Sequence, residues 1–85
     1  MERMVEEMDL ELSRFLEGRQ RLDAVRVLEF VRGREGVNQK EVSRLLGLAE
    51  AYVSRLIGKL EVYGYLGRRR GRRKEWIIES SLDIR

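Results

Sequence analysis

The apolar positions of the chain recur at helical spacing in four stretches and gather into short β-prone runs after them. Two of the helical stretches, Gln39–Leu46 and Glu50–Tyr63, are separated only by Gly47-Leu48-Ala49. So short a link cannot lay two helices side by side antiparallel, and they must cross steeply. Ser43 falls where they cross, a place where a bulky side chain would push them apart. Gly47 falls just past the first helix, where the backbone turns left-handed and a Cβ is penalised. Val42, Leu46 and Leu48 fill the remaining apolar slots, with Leu48 plugging the turn. Advancing about 100° per residue from Val53 places Leu56, Ile57 and Leu60 in one narrow arc. The opposite arc holds Ala51, Ser54, Arg55, Gly58 and Lys59. This is the spacing of a helix-turn-helix, with a plain helical hairpin in a small bundle as the competing reading.

The preceding stretch, RQRLDAVRVLEFV, puts Leu22, Val25, Leu28 and Val31 on one face, and Ala24, Val27 and Phe30 broaden it. Such a helix belongs at the centre of a core. The glycines of Arg32-Gly33-Arg34-Glu35-Gly36 end it. Val37 reads as a strand of one or two residues, able to pair with a later hairpin. Asn38 reads as the N-cap of the helix at Gln39, with Glu41 suited in type to the reciprocal role. After Gly64, Tyr65-Leu66 and Trp76-Ile77-Ile78 flank a glycine-containing loop, which makes a hairpin. The expected fold is mainly α with a small β-hairpin.

At the front of the chain, Met1, Val5, Met8, Leu12 and Phe15 recur in alternating steps of four and three, the spacing of a coiled-coil seam. Gly18 is its stop. This stripe packs either on its own domain or on a second copy. Because the downstream elements complete a small core by themselves, a homodimer interface is the expectation, although two heptads alone are too short for a stable coiled coil. The division that follows is 1–18 as a dimerisation helix, 19–79 as the principal domain and 80–85 as a tail.

Composition narrows the chemistry. At 85 residues, with 42% hydrophobic and 39% charged content, the chain suits one folded domain with a heavily ionised surface. There is no cysteine and no histidine, which removes disulfides, thiolate chemistry, the usual zinc sites and imidazole catalysis. The carboxylates are scattered over outer helix faces, so no enzyme, cofactor or metal site is expected, and no small-molecule ligand is evident. No apolar run reaches membrane-spanning length. Glu2, Glu6 and Glu7 stand where a secretory signal would be basic and then apolar, so a cytoplasmic protein is expected.

The net charge of +3 conceals an asymmetry: residues 1–17 carry six acidic and two basic groups, and residues 18–85 carry nine acidic and sixteen basic. The second part therefore implies an anionic partner, for which nucleic acid is the simplest candidate. Six of the seven residues from Arg68 to Lys74 are basic. On a hairpin tip that density repels itself unless a polyanion is near. A solvated surface, a localisation signal and an RNA-binding arm are the competing readings of such a run.

The order helix, short strand, helix, turn, helix, strand, basic loop, strand resembles the winged helix-turn-helix transcriptional regulators of bacteria and archaea, in particular the MarR-like and related small regulators. The resemblance covers about residues 20–79, and its most specific piece is LGL…VSRLIGKLEVYGYL. It implies a winged helix-turn-helix preceded by an extra N-terminal helix, acting as a sequence-specific binder of double-stranded DNA. The second helix of the pair would enter the major groove through Glu50, Ala51, Tyr52, Ser54, Arg55 and Lys59. Gln39 and Lys40 of the first helix would approach the backbone, and Arg68, Arg69, Arg70, Arg72, Arg73 and Lys74 of the wing would grip the backbone or minor groove. The chain departs from the pattern at Ala49, where Ser or Thr usually caps the helix, and at Gly58, where a long polar residue is usual. An architectural DNA binder and a winged-helix protein-interaction module remain the alternatives.

Overall fold

The computed structural model describes residues 18–81. The dimer contacts expected at Met1, Val5, Met8, Leu12 and Phe15 lie outside the described residues, as do residues 82–85. The elements follow in the order α1 (Arg19–Val31), β1 (Val37–Asn38), α2 (Gln39–Leu46), α3 (Glu50–Val62), β2 (Leu66–Arg70) and β3 (Trp76–Ser80). The fold class is the one read from the sequence. The strands form an antiparallel sheet in the order β1-β3-β2. The brief strand anticipated at Val37 pairs with the hairpin, Val37 opposite Ile78 and Asn38 opposite Ile77.

The core is where the helices and the sheet meet. Val27 and Val31 of α1, Val42 of α2, Val53, Ile57 and Leu60 of α3, and Ile78 of β3 are all fully buried. Each such side chain contributes about 1.5–3 kcal/mol by leaving water. The inner arc of α3 is the one anticipated. That of α1 is rotated: Ala24, Val27, Leu28 and Val31 point inward with Asp23, while Leu22 is 58% exposed and Val25 lies at the margin. The reason is polar. Asp23 receives the Tyr52 hydroxyl from α3 at 2.7 Å, and a buried carboxylate must keep such a partner. Leu22, about 100° round the helix from Asp23, faces outward.

The turn between α2 and α3 closes by backbone geometry. Gly47 is left-handed at φ 68°, the Leu48 N–H donates to the Ser43 carbonyl at 3.0 Å, and the Gly47 N–H donates to Arg44, the Schellman pattern. Ser43 does more than stay small, because its hydroxyl donates to the Leu48 carbonyl. From α1, Arg26 donates to the Leu46 carbonyl at 3.2 Å, placing a cation at the C-terminal end of α2. Asn38 caps α2 by accepting from the Lys40 N–H at 2.9 Å, whereas Glu41 turns to Arg44. Ala49 gives α3 no side-chain cap, so the start of that helix is held by packing of Val53 and by the Val53 N–H bond to the Ala49 carbonyl.

Candidate nucleic-acid interface

The packing of α1, α2 and the sheet against α3 leaves one flank of that helix uncovered. Ala51, Arg55 and Lys59 are exposed on it, Val62 is 80% exposed, and Gly58 adds no side chain. Lys59 reaches Gln20 through a long contact of 3.4 Å, which leaves Arg55 as the long basic group nearest the middle of the flank. Glu50 opens the helix, where a carboxylate suits the positive end of the dipole.

The wing divides by strand alternation. Leu66, Arg68 and Arg70 share one face of β2, opposite Ser80, Ile78 and Trp76, and the burial of Leu66 and Ile78 makes this the core face. Arg69 is on the other face, where it pairs with Glu79 at 2.9 Å with both groups half exposed, a pair worth about 0–1 kcal/mol. Arg70 stacks on Trp76, its guanidinium carbon 3.7 Å from the ring centroid. Arg72, Arg73 and Lys74 form the exposed tip. There the Gly71 N–H bonds to the Glu75 carbonyl, the Lys74 N–H bonds to Gly71, and Lys74 sits left-handed at φ 64°. This is a tight turn followed by the position usually given to glycine. The Glu75 carboxylate accepts from the Arg73 N–H and holds the loop closed.

Four expected contact residues, Gln39, Tyr52, Ser54 and Arg68, are tied into the fold. Gln39 is buried, only 4% exposed, and its Oε1 accepts from Arg68 Nη1 at 3.0 Å. Tyr52 turns along α3 toward α1 and is engaged by Asp23; burial, with that hydrogen bond, holds its phenol above the usual tyrosine range. Arg68 is folded inward at the wing root. Its Nε donates to Glu61 at 2.9 Å and its Nη1 also donates to Ser54 Oγ at 3.0 Å. The structure thus brings Arg68, Gln39, Ser54 and Glu61 into one cluster, and Gly58 lies directly beside it. Parity was the available signal, since Arg68 is two residues from the core residue Leu66. The Tyr52–Asp23 pair was marked only by a lone acid within an apolar face.

Between the wing and the N-termini of α2 and α3 lies a cleft of about 300 Å³, lined by Lys40, Glu50, Arg70, Arg73, Lys74 and Trp76 among others. Its wall is basic on the wing side and mixed on the helix side. Among the described residues, no cluster of side chains could hold a metal ion, and no helix is long and apolar enough to cross a membrane.

A helix pair with a left-handed glycine turn, a free outer flank on its second helix and a basic hairpin beside that flank define a winged helix-turn-helix domain. The model of the IclR helix-turn-helix domain matches residues 24–70, more than half of the chain. The chain belongs to that family, a DNA-binding and non-enzymatic class of domain found in transcription regulators. Two solved structures share the fold. MepR, a transcription regulator of the Staphylococcus aureus multidrug efflux pump MepA, aligns with a TM-score of 0.64 at 18% identity over 93% of this chain and 58% of its own. The transcriptional regulator Tm0710 from Thermotoga maritima aligns with a TM-score of 0.61 at 26% identity over 91% of this chain and 54% of its own. The chain therefore spans a little over half the length of either. No match was found among curated protein sequences.

Proposed function

We propose that the chain is a sequence-specific regulator that lays the outer flank of α3 in the major groove of double-stranded DNA while the wing tip holds the neighbouring backbone or minor groove. The observation that carries this reading is the exposure of Arg55, between the small Ala51 and Gly58, on the outer flank of α3 in a domain whose wing tip exposes Arg72, Arg73 and Lys74. Small side chains let a helix approach base edges in a groove about 12 Å wide, and arginine reads guanine by two parallel hydrogen bonds. Glu50, an acceptor only, suits a cytosine amino group or stays as a dipole partner.

We further propose that two copies assemble through the N-terminal segment, supported by the apolar Leu22, exposed where that segment enters α1. A two-fold pair would read half-sites about one helical turn apart. Replacing Leu12 by Glu should then leave a monomer in sedimentation that binds a single half-site weakly.

Selection of duplexes from a random pool tests the main reading. A defined motif is expected, and Arg55→Ala should flatten preference at one position by about 1–3 kcal/mol. Equal loss on every sequence would refute the readout role of Arg55. A pool with no enriched motif would favour the architectural alternative, to which Ala51, Gly58 and Val62 lend support because they offer no hydrogen bonds from their side chains.

A further inference from the structure

The inward fold of Arg68 separates it from the rest of the basic run. Its side chain is only 18% exposed, and its Nε and Nη1 donate to acceptors on two other elements, Gln39 on α2 and both Ser54 and Glu61 on α3. Trp76 of the partner strand lies under its guanidinium at 5.3 Å. The usual long side chain is absent at Gly58, and Arg68 Nη2 sits 3.6 Å from the place a Cβ would take there. A methyl would fit at ordinary contact, but anything longer would compete for the guanidinium's space.

We propose that Arg68 is a positioning residue, which fixes the pitch of the wing against α3 and does not itself touch DNA. The inference rests on the reading that the domain binds DNA through α3 and the wing. Three considerations carry it. Strand alternation puts Arg68 on the core face, so its side chain leaves the hairpin on the side of the helices and not toward the tip. Glu61 is bonded to its Nε at 2.9 Å and already opposes its charge, which weakens the pull of the guanidinium on a phosphate. The planar fork of arginine also reaches several acceptors at once, which an ammonium cannot do in the same geometry.

The lever is long enough to matter. From Arg68 to Arg72 the chain extends roughly 13 Å at strand rise. A tilt of about 10° at the root would move the tip roughly 2 Å, more than the tolerance of a hydrogen bond to phosphate. Loss of Arg68 should therefore mis-aim Arg72, Arg73 and Lys74 without removing any of their charges.

The test compares the full chain with Arg68→Ala, Arg68→Lys and Arg72→Ala for binding to a fluorescent duplex taken from the random-pool selection, over a salt series. Arg72→Ala should lower the slope of log K against log salt by about 0.9, one phosphate's worth. Arg68→Ala should weaken binding about tenfold or more and, combined with Arg72→Ala in one chain, should leave Arg72→Ala little further slope to remove, because a mis-aimed tip has already lost its phosphates; Arg68→Lys should fail to restore binding. Hydrogen exchange in the same Arg68 variants should quicken at β2 and β3 amides while α1 amides stay protected, which separates a loosened wing from an unfolded domain. Should Arg68→Ala fail to fold, Arg68→Lys carries the comparison.

Fully additive losses of slope and affinity in the Arg68→Ala, Arg72→Ala double variant would show that Arg68 holds a phosphate independently of the tip and overturn the proposal. Full rescue by lysine, or wild-type affinity in Arg68→Ala, would overturn it too. Absence of binding by the wild type to any duplex at low salt would defeat the DNA reading instead. The anchoring would then be judged by exchange alone, and unchanged wing protection in Arg68→Ala would end it.

Discussion

The two flanks of α3 differ in burial, one closed into the core and one open to solvent. Its inner flank, Val53, Leu56, Ile57 and Leu60, is buried against α1, α2 and the sheet, and fixes where the helix lies. Its outer flank, Ala51, Arg55, Gly58, Lys59 and Val62, makes few ties within the molecule and is free to meet a partner. The difference teaches that exposure on this helix follows from how its neighbours dock on one side of it, α2 across a turn closed by Ser43 and the left-handed Gly47. The basic run divides in the same way: Arg68 serves the interior, and Arg72 to Lys74 serve the surface.

The sharpest way to break that division is to truncate one residue on each flank. Ile57→Ala should cost about 2–5 kcal/mol in thermal or denaturant unfolding. Arg55→Ala, on the outer flank, should stay within about 0.5 kcal/mol of the wild type. Comparable losses for both would mean that the outer flank is structural after all.

Two glycine exchanges sharpen the comparison at the level of about 1 kcal/mol. Gly58→Ala should stabilise the domain by about 1 kcal/mol through helix propensity, because the added methyl meets Arg68 only at ordinary contact distance. A drop in melting temperature would show that Arg68 tolerates nothing at that place. Lys74→Gly should relieve the left-handed backbone at the wing tip by about 1 kcal/mol. The same exchange should remove one unit of charge from the exposed loop, so stability rises and, on the proposed contact of that loop with DNA, the salt slope falls by about 0.9.

The smallest expected effect concerns pH. Tyr52 holds its proton more tightly when folded than when unfolded, because of burial and its bond to Asp23. Its contribution to stability is therefore complete below the ordinary tyrosine pKa of about 10 and is lost as pH rises through the higher folded value. Urea titrations between pH 9 and about 11 should show this alkaline decline in the wild type and a weaker one in Tyr52→Phe. Identical declines would place the titrating group elsewhere.

Much of the architecture is local and was legible. The positions of the helix-turn-helix, the turn at Gly47, the cap at Asn38 and the hairpin all follow from spacings and turn chemistry within a few residues. The core face of α3 was equally plain, since helical period alone defines it once one buried residue is known.

What the chain pattern could not reveal is how separate elements are phased against one another. Asp23 and Tyr52 are 29 positions apart, as are Gln39 and Arg68, and each pair exists only because folding docks two elements at one angle. That docking exposes Leu22, buries Gln39 and turns Arg68 away from its basic neighbours. The sequence by itself determined the elements, the anionic preference of the second part and the free flank of α3. Only the tertiary structure decided which side chains of that basic run face outward, because a side chain's direction is set by strand register and by the acceptors brought within its reach.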